Sequence, residues 1–351
     1  MKNIIINGDM SIAQRGTSVT GITGSGYYTV DRFQIGSAGS SGGTFTMSQD
    51  TDVPTGQGFA TSLKMDCTTA DASLGSSDAL RISQYIEGQN LQYLKKGTAN
   101  AESTTLSFWV KSNKTGTYIS ELRDMDNARA ISKSYTIDVA DTWEKKTLTF
   151  AGDTSGAFDN DNSTSLRLAN WLYAGTDYTS GTLQTSWGTL TATDRAVGQV
   201  NLADSTANDF YITGVQLEAG TTASDFEFLP VDVNLARCLR YCFVLGNTPT
   251  NGAINKYANV GTYYTATEFF PSVYYPVVMR ATPSFTVVGA TPAQAFTIYS
   301  ANTGRTSTAV GADSISATNI GYVITTASAT QGDGGVGAWN VGYYGIIEAE
   351  L

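Results

Sequence analysis

Catalysis is usually built on nucleophiles, metal ligands and paired acids, and this chain offers few of them at a workable spacing. Gly39, Ser41 and Gly43 match G-x-S-x-G, a pattern that needs a strand-to-helix elbow and a histidine to take the serine proton. The stretch reads GSAGSSGG and the 351 residues contain no histidine, so a flexible loop is expected. Without histidine the chain also lacks the commonest metal ligand and the usual general base at neutral pH. Asp159, Asp161 and Ser163 have the spacing of a calcium loop, but Thr164 stands where glycine belongs and Asn170 where a bidentate glutamate belongs. A solvated turn is expected there. GDGGVG at 332–337 has no helical pattern after it, which predicts a hairpin tip rather than a phosphate loop. Cys238 and Cys242 lie one helical turn apart with no third ligand, and Cys67 is remote; packing is expected rather than a disulfide framework or a zinc site. A carboxylate-pair hydrolase needs no histidine, but the acids are scattered and none pair by sequence. The expectation is a protein without enzymatic activity.

The aromatic residues carry more information. Among five Trp and nineteen Tyr, Trp109 falls on the opposite strand face from Leu106, Phe108 and Val110. Trp171 and Tyr173 are expected to share a face, and Trp187 sits in the Ser/Thr-rich TLQTSWGTL. In the C-terminal part, Tyr263, Tyr264, Tyr274, Tyr275 and Trp339 are expected on loops. An aromatic plane stacked on the apolar face of a sugar, with amides and carboxylates around it to bond hydroxyls, makes a shallow glycan site. Trp109, Trp171, Tyr173, Trp187, Tyr263, Tyr264 and Trp339 are the candidates, whereas Trp143, at a strand start, reads as core.

The elements that must position these rings are strands. Short alternating runs separated by Gly, Ser, Asn and Asp recur along the chain, including TLSFWVKS (105–112), WEKKTLTF (143–150), SLRLANWLY (165–173) and DFYITGVQLE (209–218). This is the pattern of half-buried antiparallel strands and of an all-β fold. In the last run Tyr211, Thr213, Val215 and Leu217 are expected to oppose Phe210, Ile212, Gln216 and Glu218. Ile4, Ile5 and Ile6 predict an opening strand that turns near Gly8. One helix is expected in PVDVNLARCLRYCFVLG (230–246), with Leu235, Leu239 and Cys242 in its apolar contact with the adjoining domain or a symmetry mate. The expected organisation is a first domain over 1–231, a connecting helix over 232–246 and a second domain over 247–351.

Charged residues are only 15% of the chain, against about 25% in typical soluble domains. With 21 basic and 31 acidic residues and a net charge of −10, the long-range field repels phosphate backbones, so no nucleic-acid partner is expected. Residues 247–351 hold only Lys256, Arg280, Arg305, Glu268, Asp313, Asp333, Glu348 and Glu350 as charged groups. No run is long enough for a signal-peptide core or a membrane span, and neither export nor membrane insertion is expected.

NIIINGDMSIAQRG (3–16), YYTVDRF (27–33), LSFWVKS, DTWEKKTLTF and above all FYITGVQLEAGTTASDFEFLPVDVNLARCLRYC (210–242) resemble bacteriophage tail-fibre and related receptor-binding virion proteins. VVMRATPSFTV (277–287) and the terminal IIEAEL (346–351) resemble their second domain. The resemblance implies a jelly-roll first domain similar to carbohydrate-binding modules, joined by a short helix to a second β-sandwich. It further implies a homotrimer on the virion surface that contacts other virion proteins and binds host-surface polysaccharide. A protein of this kind is made in the host cytoplasm and released by lysis, which accords with an untargeted chain. In carbohydrate-binding modules resembling the first domain a structural calcium often ties the first and last strands, and Asp9 and Asp209 are the matching acids. The rival readings are a head-fibre or capsid-decoration protein and a secreted carbohydrate-binding module. A glycan depolymerase is disfavoured because no internal repeat is visible.

Overall fold

A computed structural model describes residues 2–39, 42–248, 252–254 and 259–351; Ser41 of the G-x-S-x-G match lies outside them. The chain divides into two units. The first comprises residues 1–13, 17–231 and 351; the second comprises 14–16 and 232–350. Both are β-sandwiches, and the fold is all-β and jelly-roll-like.

The strands of the first unit are β1 (Ser18–Ile22), β2 (Gly26–Tyr27), β3 (Gln34–Ala38), β4 (Thr44–Asp50), β5 (Ser62–Thr69), β6 (Ala79–Glu87), β7 (Thr104–Ser112), β8 (Gly116–Asp124), β9 (Arg129–Ile137), β10 (Glu144–Phe150), β11 (Thr164–Ala174), β12 (Gly188–Thr189) and β13 (Asp209–Ala219). They form a six-stranded sheet in the order β1-β4-β5-β13-β7-β10 and a seven-stranded sheet in the order β12-β9-β8-β11-β6-β3-β2. The alternating positions close the core between the sheets. Leu106, Phe108 and Val110 of β7 meet Leu166, Leu168 and Leu172 of β11, with Met47, Leu63 and Met65 beside them. Each such side chain contributes about 1.5–3 kcal/mol on leaving water.

Irregularities in β13 and β11 bear on the expected faces. In β13 the register shifts between Thr213 and Gln216, where Gly214 has φ +64. This bulge changes the phase. Phe210 and Ile212 face the core before it, and Val215 and Leu217 face the core after it. The expected opposition of Val215 and Leu217 to Phe210 and Ile212 is therefore corrected. In β11 the shift between Trp171 and Tyr173 turns Tyr173 into the main core. Trp171 stays on the other side of the sheet with Ala79, Ile119 and Ala196, so the two do not share a face.

The opening isoleucines form no strand. Ile5 is buried in the core, while side-chain amides replace a ladder for the backbone. Gln84 accepts from Ile6 N–H and donates to its carbonyl at 2.7 and 2.9 Å, and Asn3 Oδ1 accepts from Ile5 and Leu217. At the turn, Gly8 is required because a Cβ there would lie 2.0 Å from the Val215 carbonyl oxygen.

The second unit contains α2 (Val231–Leu239) from Asp232 on; the single turn α1 (Thr176–Thr179) belongs to the first unit. Its strands are β14 (Cys242–Thr248), β15 (Gly252–Ile254), β16 (Asn259–Tyr263), β17 (Glu268–Tyr274), β18 (Ser284–Val288), β19 (Phe296–Ser300), β20 (Thr303–Thr306), β21 (Ala309–Ile315), β22 (Asn319–Thr325), β23 (Gly334–Trp339) and β24 (Tyr344–Glu348). A four-stranded sheet, β15-β14-β24-β18, packs on a seven-stranded one, β20-β19-β23-β16-β17-β22-β21.

The helix ends at Leu239, seven residues short of the expected end at 246. Cys242 is a buried strand residue paired with Glu348. The buried helix residues are Asn234 and Cys238, Leu239 packs on the second unit's core and Leu235 is half-buried. Aromatic Phe243 and β-branched Val244 favour the strand over further helix. Arg15, from the AQRG of the opening motif, pairs with Glu348 and Glu350 of IIEAEL at 2.6 and 3.0 Å within this unit.

Candidate functional site

Trp109 is where alternation and exposure meet. In β7, Leu106, Phe108 and Val110 are spent on the core, so Ser107, Trp109 and Lys111 point outward from the six-stranded sheet. Trp109 is half-buried and lies between Thr213 of β13 and Lys145 of β10. Above this floor, the 54–60 and 224–228 segments raise a wall. Phe59, Phe226 and Phe228 pack with ring centroids 4.9–5.1 Å apart, and Phe228 is 50% exposed. The result is a groove of about 310 Å³ whose lining includes Trp109, Phe228, Ser107, Gln57, Lys145 and Asp225. Flat apolar surface is thus bordered by a hydroxyl, an amide, an ammonium and a carboxylate, the donor and acceptor set that sugar hydroxyls require.

The same sheet face continues into a charged aromatic cluster. Tyr211 of β13 lies between Lys64 of β5 and Lys111 of β7. The Lys111 ammonium is 4.2 Å from the Tyr211 ring centroid and pairs with Asp52. Trp143 donates from Nε1 to Asp52 Oδ1 at 2.9 Å and meets Tyr211 edge-on; it is a half-buried surface residue and not the core residue expected of it. Burial works to raise the Asp52 carboxyl, but hydrogen bonds from Lys111 and Trp143 outweigh it and hold the group below the usual carboxylate range.

The other ring candidates are placed differently. Trp171 has no exposed surface: its Nε1 donates to Glu121 at 3.1 Å, the Arg195 guanidinium lies 4.9 Å from the ring centroid and Tyr178 packs beside it. Tyr173 stacks on Phe45 inside the core, and burial pushes its hydroxyl up. Tyr263 is buried against Phe269 with its hydroxyl 2.9 Å from Thr326 Oγ1. Trp339 is fully buried between the two sheets of the second unit, where Gly246 and Gly345 leave room for it: a Cβ at either would approach the indole to 2.8–2.9 Å. These four residues present no face to a ligand, because packing has consumed the rings. Tyr275 is also buried. Trp187 is half-buried, donates to the Ala151 carbonyl at 2.8 Å and closes a cavity of about 20 Å³, room for about one water. Tyr264 and Tyr274 are 68% and 77% exposed, and with Val260 and Tyr299 at 65% and 53% they are among the exposed apolar residues of the second unit.

Asp9 and Asp209 are not brought together. The Asp9 carbonyl accepts from Thr61 and Thr213, and Asp209 lies four residues up β13 from Thr213, about 13 Å along a strand. Asp209 Oδ1 is buried without a hydrogen bond, but the neighbouring Lys64 and Lys111 are cations, a setting that repels calcium. The acids do not fit the calcium site that the resemblance implies. Asp161 accepts from Ser163 N–H in a local turn, and 334–337 of GDGGVG run in β23 rather than at a hairpin tip.

Phe59, Phe226, Phe228, Gln57 and Asp225 carry no mark in the sequence that separates them from core or loop residues; the alternation of Phe226 and Phe228 around Glu227 is the one available signal. Among the described residues no helix is long and apolar enough to cross a membrane.

No family model matches the chain, and no curated protein matches it. Among solved structures it is similar to the enzymatically active domain of tailspike protein 4 of bacteriophage CBA120, at 15% identity and TM-score 0.33, over 62% of this chain and 21% of that one. The match thus spans about a fifth of the tailspike chain. It is also similar to TmCBM61 in complex with β-1,4-galactotriose, at 9% identity and TM-score 0.31, over 62% of this chain and 99% of that one. A third is the family 11 carbohydrate-binding module from Clostridium thermocellum in complex with a β-1,3-1,4-mixed-linked tetrasaccharide, at 11% identity and TM-score 0.29, over 59% and 97% of the respective chains.

Proposed function

We propose that this protein is a non-enzymatic, glycan-binding component of a bacteriophage virion surface, a tail fibre or spike that engages host-surface polysaccharide as a homotrimer. The Trp109 groove carries the binding part of this reading, because it combines an accessible indole, an exposed Phe228 and polar groups of four kinds around one cavity. The sequence resemblance, densest over 210–242, supports the virion part. The exposed, nearly uncharged apolar surface around Val260, Tyr264, Tyr274 and Tyr299 supports association of copies, since such surface is costly to leave in water. Three of the buried acids are held in ion pairs: Asp124 and Asp153 by Lys96, and Glu121 by two arginines. This supports binding without hydrolysis.

Stacking on one indole is weak per site, and three sites on one particle raise the apparent affinity by roughly 10²-fold or more where geometry permits. The test is calorimetric titration of the full chain with neutral envelope oligosaccharides. Trp109→Ala is expected to weaken binding by about tenfold or more, equivalent to about 1.4 kcal/mol, at an unchanged unfolding temperature; unaltered binding refutes the site. Light scattering is expected to return three times the 37.2 kDa chain mass, and a monomer at micromolar concentration refutes the trimer. Labelled antibody on intact particles should mark the tail, while head labelling transfers the protein to the decoration class.

A further inference from the structure

On the outer face of the first unit's seven-stranded sheet, cross-strand register sets Arg123, Arg167 and Tyr85 in one row. Glu121, Ala169 and Ser83 form the next row, and Trp171 and Arg81 the one after it. Arg195 is laid over them from the segment after β12. Four guanidiniums therefore surround one carboxylate, a local charge of +3 in a chain whose net charge is −10.

Glu121 is spent on Arg167, Arg195 and Trp171. Arg81 lies 5.5 Å from the Trp171 ring centroid; both it and Arg123 feel the Glu121 charge, but neither has an anionic partner among the described ion pairs. The Nε atoms of Arg81, Arg123 and Arg167 and the Oγ of Ser83 are all out of solvent without a hydrogen-bond partner; Ser83 and Arg167 are 1% and 2% exposed. All four groups can donate, and the small Ala169 lies in the row between Ser83 and Glu121. Gly36 lies under Arg81, where a Cβ would come 3.0 Å from its Nε, so glycine leaves the space in which that side chain lies. Burial, followed by repulsion from Arg167 and Arg195, lowers Arg81 to about 10, and the same causes lower Arg123. Both still carry charge at neutral pH. Unmatched buried donors of one sign are costly, and an acceptor anion satisfies them together.

We propose that this face is an oxyanion site that takes the carboxylate or phosphate groups of an anionic surface glycan on Arg81, Arg123 and Ser83, on the sheet opposite the Trp109 groove. That the bearer is a glycan rests on the function proposed above; the oxyanion site itself does not. Guanidiniums suit such groups because their planar fork matches two oxygens at once.

Thermal unfolding of the full chain with inorganic phosphate, against chloride at equal ionic strength, tests the site itself. Phosphate is expected to raise the unfolding temperature of the wild type and of Trp109→Ala, but not of Arg81→Gln or Arg123→Gln. Without phosphate the two arginine variants are expected to unfold at or above the wild-type temperature, since each relieves repulsion. Titration with polygalacturonate, its carboxyl-reduced neutral counterpart and a polyglycerol-phosphate teichoic acid separates the sources. Binding of the first or the third, lost tenfold or more in the arginine variants and retained in Trp109→Ala, assigns carboxylate or phosphate. Equal binding of the neutral polymer, no binding of either polyanion together with no phosphate shift, or arginine variants that behave as wild type overturn the proposal. Loss of neutral-sugar binding in Trp109→Ala bears only on the groove.

Discussion

Replacing Glu121 by Gln keeps the side-chain shape and leaves an oxygen to accept from Trp171, but removes the one carboxylate among Arg81, Arg123, Arg167 and Arg195. Glu121 has no exposed surface, and Arg195 approaches both of its oxygens at 3.0–3.3 Å, with Arg167 at 3.1 Å. Taking away one partner of such a buried pair costs about 3–5 kcal/mol, because the other charges stay buried. In a unit of about 230 residues each kcal/mol moves the unfolding temperature by about 2–4 °C, so the expected fall is roughly 6–20 °C by calorimetry. Dependence on pH gives a second signature. Burial tends to raise the Glu121 carboxyl, but the guanidiniums of Arg167, Arg195 and Arg81 prevail and hold it below the usual range. A depressed carboxyl stabilises fully above its unfolded value of about 4.3, and that contribution is lost as pH falls through the folded value. The gap between wild type and Glu121→Gln should therefore be constant above about pH 5 and shrink in more acidic solution. A fall of less than about 2 °C, or a gap that persists unchanged into strong acid, would refute the assignment of Glu121 as the counterion of this cluster.

Gly8→Ala sets a methyl 2.0 Å from the Val215 carbonyl oxygen, so the opening segment must shift and the first unit should lose about 1–3 kcal/mol in denaturant titration, as overpacked sites do; an unchanged midpoint argues against this close approach. Trp339→Ala empties the space between Gly246 and Gly345 and should cost the second unit about 3–5 kcal/mol. Because Trp339 packs only in the second unit's core, calorimetry should show one transition moving down and the other staying; two transitions falling together would contradict separate cores.

The strand character of this chain is a property of its sequence. Period-two alternation in 105–112 and 143–150 became β7 and β10 because one face of each run can be buried only if the backbone is extended. The outward direction of Trp109 follows from the same three neighbours, Leu106, Phe108 and Val110, and was legible for that reason. The absence of histidine, likewise, needs no fold to be read. What lay beyond the sequence was decided by contacts between distant segments. A bulge at Gly214 and another between Trp171 and Tyr173 reversed the phase of two strands whose local pattern looked continuous; a bulge is set by what the partner strand requires. Ile4–Ile6 have strand composition, but while Ile4 N–H donates to the Leu217 carbonyl, side chains of Asn3 and Gln84 rather than a strand partner hold Ile5 and Ile6. Cys242 continues an apolar helical stripe on paper, yet β24 offered it a ladder partner in Glu348. Whether an indole meets solvent depends on what covers it: Trp171 and Trp339 were claimed by Arg195 and by facing glycines. The arginines of the seven-stranded sheet, more than a hundred residues apart between Arg81 and Arg195, become neighbours only when three strands and one loop come together, which no one-dimensional spacing encodes.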